Sequence, residues 1–421
     1  MMIEELYKIF LESTGISTDT RTIEEGNMFF ALSGENFDGN TYATKAIELG
    51  AKHAIVSDKT LDGSSFTVVD DVLKTLQDLA RHHRQQLKFP IIGLTGSNGK
   101  TTTKELILSV LKQEFKVKGT EGNLNNHIGV PLTLLSFSNN LQAGVVEMGA
   151  NHQKEISFLC DIAQPDYGLI TNYGKAHLEG FGGIEGVKKG KSELYDYLRS
   201  ESKTAIIGRW DPEQISRSTG VNSILTPENT SLYKTEPLIQ FTIDNQLIKS
   251  QLTGTYNYKN AVFAYTIGKE LGVSPEKIVS GIESYQPSNN RSQVIKIDNT
   301  KIILDAYNAN PSSMMVALDN LINQKADRRI AILGDMFELG KYSEVEHNKI
   351  AQYAADSTID EVFLIGSNFS KVSIENIHTF TDYHEFIQSA HLIETNQSTI
   401  LIKGSRGMAL ERLIEDLFKK N

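Results

Sequence analysis

Between positions 96 and 101 the chain reads Gly96-Ser97-Asn98-Gly99-Lys100-Thr101, a set of residue types suited to gripping a polyphosphate. The two glycines let the backbone turn tightly enough for successive N–H groups, and the helix start behind them, to face one anion. Lys100 then reaches the outer phosphates and the Thr101 hydroxyl is placed to bind Mg²⁺. The familiar G-x-x-x-x-G-K-[ST] spacing is not met, because Leu94 stands at its first position, so the tighter Gly96-x-x-Gly99 must make the turn. Glu147 and His177 each lie past the end of an apolar run. A carboxylate and an imidazole beside a triphosphate can ligate Mg²⁺. Asn257 and Asn260, three apart on one helical face, could hydrogen-bond an adenine or a ribose, or cap their helix. Together these residues point to an ATP site.

Such groups work only on a scaffold that aims them. Residues 89–94 form an apolar run that reads as a buried strand, and 102–115 carries Leu106, Ile107, Val110 and Leu111 at helical spacing. Strand, glycine turn and helix is the context a phosphate loop needs. Further apolar runs at 143–146, 167–170 and 205–208 predict a mostly parallel sheet with helices between. Ligands in such sheets bind outside the carboxyl ends of the strands, where Glu147 and His177 fall. Residues 1–86 read as a small α/β unit with strands at 27–32, 53–56 and 66–69 and a helix at 42–49. Its polar loops, Thr18-Asp19-Thr20-Arg21 and 33–40, could hold a nucleotide base and diphosphate with Arg21 as charge partner, or be plain turns. Beyond residue 288, apolar runs at 302–304, 330–333, 362–365 and 399–402 alternate with helical segments, as in a Rossmann-like doubly wound domain. No G-x-G-x-x-G follows its first strand. Its strand-end residues Asp305, Asp335 and Lys403 are expected to offer charge to a cleft shared with the middle domain. The expectation is an α/β chain of three domains: 1–86, a central P-loop ATPase-type domain at 87–287, and 288–421.

Composition narrows the class. Lys+Arg 42 against Asp+Glu 52 gives a net charge of -10 with no long basic run, which argues against a nucleic-acid surface. The one cysteine, Cys160, cannot form an internal disulfide and sits in an apolar setting expected to bury it. The acidic start of the chain does not read as a signal peptide, and no apolar stretch approaches about 18 residues. No membrane insertion is expected, and a cytoplasmic, bacterial location is. Lys188-Lys189-Gly190-Lys191 reads, on its own, as a solvated helix face.

Taken in order, 95–101, Asn125-Asn126-His127-Ile128-Gly129-Val130-Pro131, Glu147-Met148-Gly149, His177, 254–260, Arg291 and Asp305 resemble the Mur ligase family of ATP-dependent amide-forming enzymes along the whole chain. Tyr307-Asn308-Ala309-Asn310-Pro311, 333–340 and Lys403-Gly404-Ser405-Arg406 resemble the branch that adds D-alanyl-D-alanine to UDP-N-acetylmuramoyl-tripeptide. The resemblance implies an ATP site of Gly96, Ser97, Asn98, Gly99, Lys100, Thr101, Thr102, Asn257, Asn260, Arg291 and Asp305. It implies a UDP-sugar-peptide site of Thr20, Arg21, Ser33, Gly34, Phe37, Asp38, Asn125 and Asn126, and a dipeptide site of Asn308, Asn310, Lys403, Ser405 and Arg406. It further implies catalytic roles for Lys100, Glu147, His177 and Lys191, and two Mg²⁺ held by Thr101, Glu147, His177 and a carbamylated Lys191, with Lys189 the nearby rival. A monomer is expected. Tyr256 stands where relatives often carry His, and Asn290 where Gly is common. Another amide ligase of the same family, or a nucleotide-switched binding protein that makes no bond, are the competing readings.

Overall fold

The computed structural model describes residues 3–288, 290–389 and 393–418; residues 1–2, 289, 390–392 and 419–421 of the expected units lie outside that set. The first sheet pairs Ile16–Ser17, Met28–Phe30, His53–Val56 and Phe66–Val68, all parallel and in chain order. A two-stranded hairpin, Ser33–Gly34 with Phe37–Asp38, projects from it. The helix Val72–Gln86 then leads to the middle of the chain. Asp71 caps it by accepting the N–H of Lys74 at 2.8 Å, and Val72, Leu76, Leu79 and Ala80 recur on its buried face. Arg84 ties that helix to the next sheet through Asp166 at 2.7 Å.

The second sheet runs Asn222–Leu225, Thr204–Ile207, Tyr167–Ile170, Ile91–Thr95, Ala143–Glu147, Val117–Gly119, and every pair is parallel. The chain leaves Ile91–Thr95 in one direction for the strands ending at Gly119 and Glu147, and returns to its other side at Tyr167–Ile170. That reversal opens the crevice in which ligands of such sheets sit. Ile91–Thr95 and Ala143–Glu147 are buried throughout, which is why they read as unbroken apolar runs. A three-stranded antiparallel sheet, Thr230–Lys234, Gln240–Ile243 and Gln246–Lys249, is attached beyond it and was not expected. Its signal lay in the residues: Asp244 and Asn245, at φ 46° and 66°, make a tight hairpin turn between two short alternating runs.

The third sheet orders Gln293–Ile297, Thr300–Asp305, Ser398–Lys403, Arg328–Gly334, Glu361–Ile365, His378–Phe380, parallel except for the opening hairpin. The apolar runs expected after residue 288 are its strands. Buried apolar side chains run without a break from Leu6 and Leu76 through Val130, Ile156 and Leu194 to Met314, Leu333 and Ile350. The fold is thus a mixed α/β architecture in which three sheets share a continuous core. Among the described residues no helix is long and apolar enough to cross a membrane.

Candidate active site

The loop after Ile91–Thr95 turns on two glycines in the left-handed half of backbone space, Gly96 at φ 141° and Gly99 at φ 79°. Neither tolerates a side chain, since a Cβ would lie 2.0 Å from the Thr171 hydroxyl in one case and 2.8 Å from Oδ1 of Asn260 in the other. Gly99 precedes the helix Lys100–Leu111, whose first residues face the same space as the loop. The loop is braced by the segment after Tyr167–Ile170. Ser97 N–H donates to the Asn172 carbonyl at 3.1 Å and Asn98 N–H to Oδ1 of Asn172 at 3.1 Å. The Asn98 carbonyl accepts from the Thr171 hydroxyl at 2.6 Å and from Nδ2 of Asn172 at 2.9 Å. Thr171 and Asn172 were not singled out from the sequence, although their place just past an apolar run was the available signal.

These elements wall a cleft of ≈ 1020 Å³. Into it come Ser97, Asn98, Gly99, Lys100, Thr101, Thr102, Asn125, Asn126, Glu147, His177, Asn257, Asn260, Arg291, Asp305, Asn308, Asn310 and Lys403. Nζ of Lys100 donates to the Gly96 carbonyl at 2.7 Å. Burial pushes its pKa below the ordinary lysine value; Glu147 opposes that and Arg291 adds to it. Glu147 is 1% exposed. Its Oε1 accepts from Nδ2 of Asn125 at 2.8 Å, whereas Oε2 is buried without a partner. An unpaired buried carboxylate oxygen is costly, and a cation removes the cost. Among the described residues no three His, Cys, Asp or Glu side chains converge on one point. Any ion here would therefore also need the Thr101 hydroxyl or a modified lysine.

His177 sits at φ 52° with Nδ1 against Oε2 of Glu338, which arrives from the third sheet's side of the cleft. The imidazole holds the Glu338 carboxyl below its ordinary range. With Nδ1 engaged, Nε2 is the nitrogen left to ligate an ion. Lys191 is not on a solvated face: it is 1% exposed, with Nζ 3.0 Å from the Ala150 carbonyl and 5.0 Å from the centre of the Phe181 ring. Burial, with Lys100 nearby, pushes its pKa well below the usual lysine value. That shift favours the neutral amine, the form that adds CO₂. Lys189 is exposed.

Other expected residues lie elsewhere or are engaged differently. Asn257 and Asn260 lie within the helix Tyr256–Glu270 and do not cap it; Nδ2 of Asn257 donates to the Thr253 carbonyl at 2.8 Å and Nδ2 of Asn260 to Oδ1 of Asn257 at 2.9 Å. Tyr256 is half-buried, and its hydroxyl meets Ser292 at 2.5 Å, which in turn donates its N–H to Asp305 at 3.0 Å. Lys403 is drawn to Asp305, Nζ to Oδ2 at 2.6 Å. Asp335 does not face the cleft: it is 1% exposed and accepts the N–H groups of Asn368 and Phe369, both at 2.9 Å, because the neighbouring strand's loop folds over it. Ser405 is buried and accepts the N–H of Phe337 at 2.9 Å, and Arg406 lies over the Tyr307 ring at 5.0 Å, as Arg291 does at 3.6 Å. Neither Ser405 nor Arg406 lines the cleft. Outside the cleft's lining, Thr20 and Arg21 lie on a short 3-10 helix, with Arg21 paired to Asp19 at 2.5 Å, and Ser33, Gly34, Phe37 and Asp38 on the hairpin, with Asp38 accepting from Ser33 at 2.7 Å and from Asn40. Phe37 is 59% exposed there. Cys160 is buried, as its setting implied, and burial pushes its thiol pKa up.

Three family models match consecutive stretches of the chain: the Mur ligase family catalytic domain at 12–84, the Mur ligase middle domain at 94–268, and the Mur ligase glutamate ligase domain at 290–406. A Bacillus subtilis protein named UDP-N-acetylmuramoyl-tripeptide--D-alanyl-D-alanine ligase is 33% identical over 431 residues, covering 96% of this chain and 93% of its own. The crystal structure of MurF from Acinetobacter baumannii superposes with a TM-score of 0.89 at 31% identity, over 100% of this chain and 99% of that one. That of MurF ligase from Thermotoga maritima in complex with ADP gives a TM-score of 0.86 at 26% identity, over 98% of each chain.

Proposed function

The chain belongs to the Mur ligase family, and from that premise we propose how its cleft works. It is an ATP-dependent ligase that joins the terminal carboxylate of UDP-N-acetylmuramoyl-tripeptide to the amine of D-alanyl-D-alanine, a step of peptidoglycan precursor synthesis. The observation that carries the site assignment is Glu147: a buried carboxylate oxygen without a partner, in the same cleft as a glycine turn, a lysine and a helix start.

A peptide carboxylate is a poor electrophile, so its oxygen first attacks the γ-phosphorus of ATP, forming an acyl phosphate as the bond to ADP breaks. The N–H groups at 99–102 and the Lys100 ammonium meet the phosphates, while Asn257, Asn260, Arg291 and Asp305 hold the nucleoside end. Thr101 and Glu147 would hold one Mg²⁺, and His177 with a carbamylated Lys191 a second; bound there, the ions would supply positive charge where the transferring group becomes most negative. Lys191 fits that modification because burial disfavours its ammonium and shields the nitrogen: the amine in its neutral form adds to CO₂, a C–N bond forms and one proton leaves. Glu338 lies against Nδ1 of His177, which leaves Nε2 as the nitrogen that would ligate the ion.

The dipeptide amine then attacks the acyl carbon, the tetrahedral species expels phosphate, and the nitrogen loses its proton. Water must be kept out, since hydrolysis of the acyl phosphate would waste ATP, and the closure of the cleft between the second and third sheets serves this. Residues 1–86 are assigned to the UDP end through Thr20, Arg21, Ser33, Gly34, Phe37 and Asp38, with Asn125 and Asn126 meeting the sugar-peptide. Residues 87–287 are assigned to ATP, and 288–421 to the dipeptide, chiefly through Asn308. The test is phosphate release with each substrate alone and with both. A ligase requires sugar-tripeptide and D-alanyl-D-alanine together; turnover with neither, or with free L-amino acids in place of the dipeptide, would overturn the assignment.

A further inference from the structure

A bond crosses directly from the third unit to the phosphate loop: Nδ2 of Asn310 donates to Oδ1 of Asn98 at 2.6 Å. We propose that Asn310 is a positioning residue for phosphoryl transfer rather than part of the dipeptide's binding surface, its amide completing the phosphate loop only when the C-terminal unit is docked. The proposal rests on the ligase reading of the cleft.

The geometry on the Asn310 side leaves the amide little choice. Asn310 caps the helix Pro311–Ile322, its Oδ1 accepting the N–H of Ser313 at 3.0 Å while its own N–H donates to the Ser313 hydroxyl at 3.0 Å. With the oxygen held by the helix, the nitrogen must project away from it, toward Asn98. Asn310 is 8% exposed and both ends of its amide are engaged, which leaves it poorly placed to recognise a substrate. Asn308 differs, being exposed, with its side chain bonded only to its neighbour's N–H at 2.8 Å.

On the Asn98 side the backbone is already held from within the middle unit, through Asn172 and Thr171. The side chain is the part that the third unit fixes. Docking itself does not depend on this bond, because Lys175 donates its N–H to the Ser312 hydroxyl at 2.8 Å and its ammonium to Glu346 at 2.6 Å a few residues away. Asn310 can therefore be altered without separating the units. What changes is the order of the loop that aims the N–H groups following Asn98 at one triphosphate. A phosphate loop completed by the dipeptide-bearing unit ties activation of the carboxylate to the presence of the acceptor's domain.

The decisive variant is Asn310→Ser, since serine still caps a helix but is too short to reach Asn98. We expect kcat to fall about tenfold or more while KM for D-alanyl-D-alanine changes by less than about twofold. Hydrogen exchange of the apo protein should show faster exchange at the amides of 97–101, with those of Pro311–Ile322 unchanged. In combination with Asn98→Ala the loss should be no greater than for Asn98→Ala alone, because the two act through one bond. Asn98→Ala leaves the C-terminal unit untouched, so it must give the same pattern even if Asn310→Ser folds poorly. A rise in dipeptide KM at unchanged kcat, additive losses, or unchanged exchange at 97–101 would each overturn the proposal. If the wild type makes no amide product, it is the ligase reading that fails, and the exchange measurement still judges Asn310.

Discussion

Replacing Lys403 by methionine removes the positive half of a buried pair. The ammonium, on a side chain 1% exposed, donates to Oδ2 of Asp305 at 2.6 Å and to the Asn308 carbonyl at 3.1 Å. Methionine fills much of the same volume and makes neither bond. Asp305 keeps only the N–H of Ser292 at 3.0 Å and its hydroxyl at 3.4 Å. Stranding one member of a buried pair costs about 3–5 kcal/mol. The Asp305 side chain is 18% exposed, so water relieves part of this and about 2–3 kcal/mol remains. The orphaned carbonyl adds about 1 kcal/mol. Asp305 and Lys403 are register partners at the ends of adjacent parallel strands, so the loss falls on the opening of Thr300–Asp305 and Ser398–Lys403. About 3–4 kcal/mol corresponds to roughly two to three decades in opening. The assay is hydrogen exchange by mass spectrometry, because the single tryptophan, Trp210, lies outside this sheet. Amides of these two strands should exchange roughly two to three decades faster, with Ile91–Thr95 unchanged. Adding Asp305→Asn should recover part of the loss. A change of less than a decade, or a double variant as damaged as the sum of the singles, would refute the reasoning.

Glu147→Gln takes away a buried charge whose Oε2 has no protein partner, so the apo protein should hold or gain stability while turnover falls by about two orders of magnitude and the Mg²⁺ requirement rises; a magnesium titration of phosphate release that matches wild type would contradict the assignment. For Lys191, burial lowers the folded-state pKa below the unfolded value, so between those two values the unfolded chain binds more protons and wild-type stability climbs with pH. Lys191→Met, compared with wild type in CO₂-free buffer, should therefore be the more stable protein at neutral pH, with the gap narrowing toward about pH 10, and should be inactive with or without bicarbonate. A gap that widens with pH would show the sign to be wrong. Gly99→Ala forces a methyl to 2.8 Å from Oδ1 of Asn260 at a φ of 79°, and KM for ATP should rise about tenfold or more; unchanged ATP kinetics would mean that the turn relaxes freely.

Much of the scaffold was legible because it is written in local pattern. Unbroken apolar runs marked the buried parallel strands, and glycines marked the phosphate turn, whose φ values need them. The antiparallel sheet at 230–249 was overlooked because its strands are short and half polar, although the Asp244-Asn245 turn announced it. Side-chain assignments fared differently. Lys188, Lys189 and Lys191 look alike in sequence, yet only Lys191 is buried, because the helix Ile184–Ser200 packs that face under Phe181.

Asp305 and Asp335 both end strands of the third sheet, but one opens on the cleft and the other is sealed by the N–H groups of Asn368 and Phe369. The same holds for Asn310, whose partner lies 212 positions away. By itself, then, the order of residues determined which segments become strands and helices, where the chain must turn, and which turn can hold a polyphosphate, since each follows from steric and apolar periodicity within a few residues. Only the tertiary structure decided which charged groups are stripped of water and which partners they meet, because desolvation and hydrogen bonding are set by whatever distant segment is packed against them.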